Sequence, residues 1–321
     1  MSSGLTIRNE LFSLLDRRTM ICDGAMGTML LKSGYKTAGD LLNLDKRAFD
    51  DIVKIHLDYI CSGSEIIQTN SFGANPVKLK RSGNEDKTEK INRSAVIAAK
   101  KAISMFGDTA GSAENIPGNS SKKIYIAGDV GPTGQLLKPY GPLDYSDAVN
   151  CFTRQIDILL DSGADFILIE TMMDLNEARA AVEAARKLDR EIPVACTLSF
   201  NENGVTIMGE KAESFGKTLI DCGCDIIGAN CSVGSGSMAE ITQKIRTANP
   251  DARILIQPNA GLPKMVNSST VFDETPEIMA VNFKKILEYH PDIIGGCCGS
   301  TPDHIKKLSQ LLQQFNSNHK I

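Results

Sequence analysis

Short apolar runs alternate with longer amphipathic stretches along the whole chain. The segments SGADFILIE, CGCDIIGAN and HPDIIGG share one pattern, in which a small or polar turn is followed by an Asp and an apolar, mostly β-branched run. Runs that are apolar on both faces are typical of parallel strands, which are buried on both sides. The pattern predicts eight strands, at residues 20–23, 65–69, 124–129, 165–169, 193–199, 225–229, 254–257 and 292–295.

The segments between these strands carry helical patterns, of which the Ala-rich residues 176–188 are an example. Eight β-then-α units predict a (β/α)8 TIM barrel, with residues 1–321 in a single domain. A doubly wound sheet also alternates strands and helices, but it usually has a G-x-G-x-x-G turn after its first strand. Here residues 23–28 read DGAMGT, which lacks that spacing, so the barrel is favoured.

Two segments interrupt the alternation. Residues 107–123 read GDTAGSAENIPGNSSKK, and their Gly, Ser and Asn content predicts a flexible loop before the third strand. Residues 261–277 follow the seventh strand. Because loops at the carboxyl ends of barrel strands carry function, we expect this second segment to form part of an active-site rim.

Composition and charge narrow the function classes. Hydrophobic residues make up 42% of the chain and charged residues 23%, as in ordinary globular proteins. The net charge is −4 and the 35 basic residues are scattered, so no nucleic acid partner is expected. No run approaches the roughly 20 apolar residues of a membrane helix, and the N-terminus does not read as a signal peptide. We therefore expect a cytoplasmic protein without a membrane partner.

Cysteine usage points to a metal. Nine cysteines without small-scaffold spacing indicate reduced thiols rather than a disulfide framework. Cys297 and Cys298 lie between glycines in GGCCG, at the end of the eighth predicted strand. Neighbouring strand residues point to opposite faces, so both thiols reach one ion only if the strand ends and bends there. The flanking glycines make such a bend possible.

A third cysteine ends the sixth predicted strand, where Cys231 lies in the sequence GANCS. Strands six and eight of a barrel end on the same face, so three thiolates can converge on a tetrahedral zinc with an open fourth position, as catalytic zinc sites have. The alternative is that all three are buried thiols that pack as small hydrophobes. Their location at two strand ends favours the metal.

The remaining cysteines and the histidines are weaker candidates. Cys222 and Cys224 form a C-x-C rival, but they precede the sixth strand and so fall on the opposite face of the barrel. No histidine ends a predicted strand, which disfavours a His-ligated zinc hydrolase. We assign to the core or other structural roles Cys22, Cys61, Cys151 and Cys196, and to surface or helix positions His56, His290, His304 and His319, with His304 in the first turn of the last helix.

Two acids end predicted strands. Asp23 ends the first strand and Glu170 ends the fourth, so both are expected to project over the barrel mouth. With no basic partner nearby in sequence, they suit the ammonium group of an amino acid, and the backbone amides from Gly24 onward suit its carboxylate. A helix cap or a surface charge remains an equal alternative for each acid.

An ordered set of motifs along most of the chain resembles the homocysteine S-methyltransferases. The segments DGAMGTML, GPTGQLLKPYG and PNAGLP are more similar to the homocysteine-binding module of cobalamin-dependent methionine synthase than to betaine-homocysteine methyltransferase. The motifs are DGAMGT at 23–28, QTNSFGAN at 68–75, GDVGPTGQ at 128–135, IETMMDLNEA at 169–178, GANCS at 228–232, PNAGLP at 258–263 and GGCCGSTPDHI at 295–305.

The resemblance implies a (β/α)8 barrel, formation of methionine from homocysteine, and zinc on three cysteines. An ordinary thiol has a pKa of about 8.5 and is mostly protonated at neutral pH, whereas zinc coordination removes the proton. The implied zinc ligands are Cys231, Cys297 and Cys298, and the implied substrate contacts are Asp23 and Glu170, with Asn230 helping to shape the site.

The methyl donor is the least determined part of the resemblance. Cobalamin-dependent methionine synthase continues into folate, cobalamin and activation modules, whereas this sequence stops soon after the eighth unit. We therefore expect methylcobalamin on a separate corrinoid protein as the donor. The alternatives are a small donor, namely S-methylmethionine, S-adenosylmethionine or betaine, and a non-catalytic module that binds homocysteine and zinc. A barrel lyase or aldolase would use a Schiff-base Lys, which no predicted strand end supplies.

Overall fold

A computed structural model describes residues 3–37, 39–110, 123–266 and 269–318. Eight of its strands form one parallel sheet, and two more form a short antiparallel hairpin. The sheet strands are β1 (Met20–Ile21), β2 (Ile66–Gln68), β3 (Tyr125–Val130), β4 (Phe166–Met172), β5 (Val194–Leu198), β6 (Ile226–Gly234), β7 (Arg253–Asn259) and β10 (Ile293–Ile294), and the hairpin strands are β8 (Lys264–Val266) and β9 (Ser269–Val271).

The parallel sheet closes into a barrel. Its strand order is β1-β10-β7-β6-β5-β4-β3-β2, and the two end strands meet where Cys22 and Ile66 form a parallel bridge. The Glu65 amide donates to the Ile21 carbonyl at 2.7 Å beside this bridge. These contacts confirm the predicted TIM barrel and all eight predicted strands, although β6 runs to Gly234, five residues beyond its predicted end.

Helices surround the barrel and close its floor. The predicted helix at 176–188 is confirmed to within one residue as α7. Leu11 and Leu15 of the first helix pack against the apolar floor of the barrel interior. The helices are α1 (Ser3–Leu15), α2 (Met26–Lys32), α3 (Lys46–Cys61), α4 (Pro76–Lys80), α5 (Thr88–Ala110), α6 (Tyr145–Ser162), α7 (Leu175–Leu188), α8 (Phe215–Asp221), α9 (Ser235–Ala248), α10 (Pro276–Leu287) and α11 (Pro302–Asn318).

The repeated Asp in the sequence pattern has a structural role at the amino ends of the strands. Asp165, Asp225 and Asp292 each precede a strand, and each accepts a hydrogen bond from the first part of the neighbouring strand. The donors are the amides of Ile126, Val194 and Ile254, at 2.7 to 2.9 Å. These acids therefore satisfy backbone donors at the end of the barrel away from the cysteines.

The barrel interior changes from apolar to polar toward the carboxyl ends of its strands. Ala127 and Leu168 point inward into the apolar floor cluster. Because side chains alternate along a strand, the residues two positions further on point inward as well. These are Asp129 and Glu170, both buried. Strand alternation thus builds a polar layer directly above the apolar floor.

The first predicted loop begins later than the sequence pattern indicated, and the second segment contains regular structure. Helix α5 continues through Ala110, so the first four residues of the predicted loop at 107–123 are helical. Residues 111–122 of that loop lie outside the described residues. The second loop, 261–277, contains the β8–β9 hairpin and the start of α10.

None of the described helices is both long and apolar enough to cross a membrane.

Candidate functional site

The structure brings Cys231, Cys297 and Cys298 together. Their Sγ atoms all lie within 4.8 Å of one another, and those of Cys231 and Cys298 are 3.9 Å apart. In a tetrahedral zinc site with Zn–S bonds of about 2.3 Å, sulfur atoms are separated by about 3.8 Å. The chemistry and spacing of this donor set therefore fit a zinc ion.

A local distortion of β6 turns Cys231 toward the other two sulfurs. Asn230 points into the barrel, so a regular strand would point Cys231 outward. Instead Cys231 and Ser232 adopt left-handed backbone conformations, with φ of 61° and 60°. The register with β7 shifts between Asn230 and Gly234. Left-handed conformations cost about 1–3 kcal/mol for residues other than glycine, and such strain clusters at functional sites.

The Cys297–Cys298 pair follows the end of β10, as predicted, and is tied to the end of β7. The Cys297 amide donates to the Pro258 carbonyl at 2.8 Å, and the Ala260 amide donates to the Cys298 carbonyl at 2.9 Å. These two hydrogen bonds fix the backbone of both cysteines against the neighbouring strand.

The glycines around the pair are required mainly for space, rather than for the bend that the sequence suggested. Only Gly299 has a positive φ, of 84°. A Cβ on Gly295 would lie 2.9 Å from the Asp23 carbonyl oxygen, and one on Gly296 would lie 2.5 Å from Ser300 Oγ. The end of the first strand therefore excludes a side chain at Gly295, and Ser300 excludes one at Gly296.

The three thiol groups differ in their pKa values. Hydrogen bonds from Cys297 and then Cys298 lower the pKa of Cys231 to about 3. The same hydrogen bond to Cys231 raises the pKa of Cys298 to about 12, and the pKa of Cys297 is also raised. Hydrogen bonding within the cluster thus favours the thiolate form of Cys231, which suits a cation.

A buried hydrogen-bond network lies beside the sulfurs. Asn230 Nδ2 donates to Glu170 Oε2 at 3.0 Å and lies 3.9 Å from Cys297 Sγ. Gln68 Nε2 donates to the same Glu170 oxygen at 3.1 Å, and Gln257 Nε2 donates to Gln68 Oε1 at 2.8 Å. The network holds the Glu170 carboxylate in place at the mouth of the barrel.

Both predicted acids are buried at this end of the barrel. Asp23 Oδ2 accepts from the Gln68 amide at 2.9 Å, and no ion pair involves Asp23 or Glu170 within the part of the chain that the structure describes. Burial raises the pKa of Asp23 to about 8, and burial followed by the charge of Cys231 raises that of Glu170 to about 7. Gly24 packs closely, since a Cβ there would lie 2.6 Å from Ser300 Oγ.

Sequence reasoning missed three polar residues of this layer, namely Gln68, Asp129 and Gln257. All three lie at or next to the ends of predicted strands, as the two chosen acids do. Their signal was present in the alternation of each strand.

The rival residues lie elsewhere. Cys222 and Cys224 follow α8 at the amino end of β6, away from the three cysteines. His304 lies in the first turn of α11, as predicted, and His56 lies in α3 but is fully buried rather than at the surface. His290 is exposed in the turn after α10, and His319 lies outside the described residues. Cys61 is exposed at the end of α3.

A family model described as homocysteine S-methyltransferase matches residues 20–312. The chain belongs to the homocysteine S-methyltransferase family. The match includes Cys231, Cys297 and Cys298, together with both acids. The family assignment thus covers nearly the whole barrel.

Two curated relatives carry the name methionine synthase. The protein of Mycobacterium leprae (strain TN) is 30% identical over 326 residues, and that of Mycobacterium tuberculosis (strain ATCC 25618 / H37Rv) is 30% identical over 315 residues. The alignments cover 96% and 94% of this chain but only 25% of each relative. This member of the homocysteine S-methyltransferase family therefore matches one quarter of their length.

Solved structures agree on the fold. The homocysteine methyltransferase MmuM from Escherichia coli, in its metallated form, has a TM-score of 0.75 at 22% identity, with 94% of this chain and 99% of that chain covered. Its oxidized form has a TM-score of 0.74 at the same identity, with 94% and 98% covered.

Proposed function

We propose that this chain transfers a methyl group to the sulfur of homocysteine to form methionine, with a zinc ion held by Cys231, Cys297 and Cys298. The observation that carries the proposal is the convergence of three strand-end thiols within 4.8 Å of one another, beside buried acids, in a member of this family. A zinc ion bound to these three thiolates would keep one open position for a substrate sulfur and would supply the positive charge that favours its thiolate form.

The residues of the chain then have separable tasks. Asp23 and Glu170 bind the substrate ammonium group, and the backbone amide of Gly24 binds its carboxylate. Asn230 holds Glu170 through the 3.0 Å hydrogen bond described above. In the reaction, a bond forms between the substrate sulfur and the methyl carbon. The donor's bond to that carbon breaks and leaves its electron pair on the donor, while the thiol proton is released.

A corrinoid protein that carries methylcobalamin is the proposed methyl donor. The loops that follow β3, β4, β5 and β7 expose many large apolar side chains on the face where the cysteines lie. Tyr140 is 76% exposed, Ile207 81% and Met265 72%. Exposed apolar side chains collected on one face indicate a protein-binding surface, which a small donor does not require. The others are Leu136, Met173, Met208, Leu262 and Val271.

The test combines metal content with a choice of donors. Zinc per chain and methionine formation from homocysteine are measured with methylcobalamin, S-methylmethionine, S-adenosylmethionine and betaine in parallel. We expect one zinc per chain and turnover with methylcobalamin. Turnover with a small donor alone would overturn the corrinoid partner while keeping the reaction, and a chain without zinc would overturn the proposed metal site.

The cysteine variants provide a matched control. Cys298→Ala is expected to lose both zinc and turnover, because a site with two thiolates binds the ion far more weakly. Cys222→Ala removes a half-buried thiol outside the site and is expected to keep both. Full zinc content and activity in Cys298→Ala would contradict the assignment.

A further inference from the structure

Asp129 is a buried acid with an unused carboxylate oxygen. It lies at the carboxyl end of β3, is 5% exposed, and its Oδ1 has no hydrogen-bond partner among the described residues. Its backbone is fixed, since the amide donates to Thr69 Oγ1 at 2.9 Å and the carbonyl accepts from Ser71 Oγ at 2.7 Å. A buried polar atom without a partner is destabilising, so its retention requires a reason.

The side chain points into the barrel, toward the site. In the parallel register Asp129 pairs with Leu168, which belongs to the apolar floor of the interior, and paired residues point to the same side. Burial, and then the charges of Glu170, Asp40 and Asp23, raise the pKa of Asp129, while Lys78 opposes them. Asp129 and Glu170 point inward from the neighbouring strands β3 and β4, and Gln68 hydrogen-bonds to both Glu170 and Asp23, so the three carboxyl groups form one acidic cluster at the mouth.

No cation within the described ranges forms an ion pair with this cluster. No ion pair involves any of the three acids, and the Lys78 ammonium lies over the Phe72 ring, 4.5 Å from its centroid. Asp225 and Asp292 at the strand starts differ, because each of them forms an ion pair with arginine. Buried carboxylates are stable when a cation pairs with them, so the cluster is matched to a cationic guest.

We propose that Asp129 is a third acidic contact, beside Asp23 and Glu170, for the ammonium group of the substrate. This inference rests on the proposed function and deepens it. An ammonium group has three N–H donors, and three carboxyl groups from β1, β3 and β4 supply one acceptor each. Asp129 thus selects thiols that carry a free amino group over thiols that lack one.

The test uses two ligands that differ only in the amino group. Binding of homocysteine and of 4-mercaptobutanoate to the zinc-loaded full chain is measured by calorimetry for the parent, Asp129→Asn and Asp147→Asn. Asp129→Asn is expected to weaken homocysteine binding roughly 10- to 100-fold and to leave 4-mercaptobutanoate binding unchanged. Asp147, an exposed acid on α6, is the matched control, and its variant is expected to bind both ligands like the parent.

Each other outcome is informative. Equal weakening of both ligands, or no weakening of either, would overturn the role of Asp129. A zinc-loaded parent that fails to bind homocysteine would overturn the proposed function itself, and that failure appears before any variant is made. If Asp129→Asn does not fold, Asp129→Glu shifts the carboxylate and is expected to give the same selective loss; an unselective change would again overturn the role.

Discussion

Asn230 Nδ2 lies 3.0 Å from Glu170 Oε2, and this contact links the end of β6, which carries Cys231, to the end of β4. The same side chain accepts through Oδ1 from the Thr171 amide at 2.8 Å and from Thr197 Oγ1 at 2.7 Å. One buried amide therefore sets the relative position of the candidate zinc ligand and the candidate ammonium ligand.

Replacing Asn230 by Ala should uncouple these two parts of the site. The change removes one of the two hydrogen bonds to Glu170 Oε2 and leaves the Thr171 amide without its partner, so kcat/KM should fall roughly 10- to 100-fold, as for other residues that support metal ligands. The free energy of unfolding should fall by about 1–3 kcal/mol. Steady-state kinetics and denaturant unfolding measure both. Asn203→Ala, at an exposed turn position, is the control, and kinetics of Asn230→Ala equal to those of the control would refute the role.

Glycine substitutions separate backbone strain from steric conflict. Gly299 and Gly83 both have positive φ, of 84° and 69°. A Cβ on Gly299 would lie 2.3 Å from Phe272 Cγ, whereas a Cβ on Gly83 meets nothing within 4 Å. Gly83→Ala should cost about 1–2 kcal/mol. Gly299→Ala should cost about 1–3 kcal/mol more and also reduce zinc content. Equal losses of unfolding free energy would show that the Phe272 contact relaxes freely.

The buried His56 is expected to lower the free energy of unfolding in acid. Burial lowers its pKa to about 4, and neither ring nitrogen has a hydrogen-bond partner among the described residues. In the unfolded chain this histidine takes up a proton below its ordinary pKa of about 6.5. In the folded chain it does so only near pH 4. The free energy of unfolding therefore falls as the pH falls through this window. The contribution is about 3 kcal/mol at the lower end.

The measurement is the unfolding free energy between pH 7 and pH 4 for the parent, His56→Leu and His290→Asn. The exposed His290 is the control, and its variant should keep the pH dependence of the parent. His56→Leu should have a smaller loss between pH 6.5 and pH 4. An unchanged slope in that variant would assign the acid sensitivity to other groups.

The exposed apolar surface predicts a defect specific to a protein-borne donor. Ile207 lies on the loop after β5 and is 81% exposed. Ile207→Ser should raise the KM for a methyl-corrinoid protein severalfold and leave turnover with free methylcobalamin unchanged, because only a protein covers the loop. Val281→Ser changes an exposed apolar residue on α10 and serves as the control. Equal effects of Ile207→Ser on both donors would show that this surface does not bind the donor protein.

The barrel and the three cysteines were predictable because their signals are local and regular. The strand pattern alone locates Cys231 and Cys298 at strand ends on one face, and the closed sheet then brings them together. The role of the glycines was not predictable, because the contact of Gly296 with Ser300 depends on the loop path rather than on residue type. The left-handed conformation of Cys231 left no sequence signal either, since glycine usually marks such a position.

The polar layer was only partly predictable. Asp23 and Glu170 were found as strand-terminal acids, whereas Gln68 and Asp129 were not found, although both follow the same inward alternation as Glu170. The hydrogen bond from Gln68 to Glu170 joins residues 102 apart in sequence. Such pairings depend on barrel register, which the sequence pattern does not give to within one residue.

X-ray absorption at the zinc edge tests the central claim most directly. The zinc-loaded chain is measured alone, with homocysteine and with methionine, and the sulfur atoms around the metal are counted. We predict three sulfur ligands in the free chain, four with homocysteine, and three with methionine, because the open position takes a thiol. An unchanged count with homocysteine, or a zinc already bound by four sulfur atoms in the free chain, would contradict the proposed site.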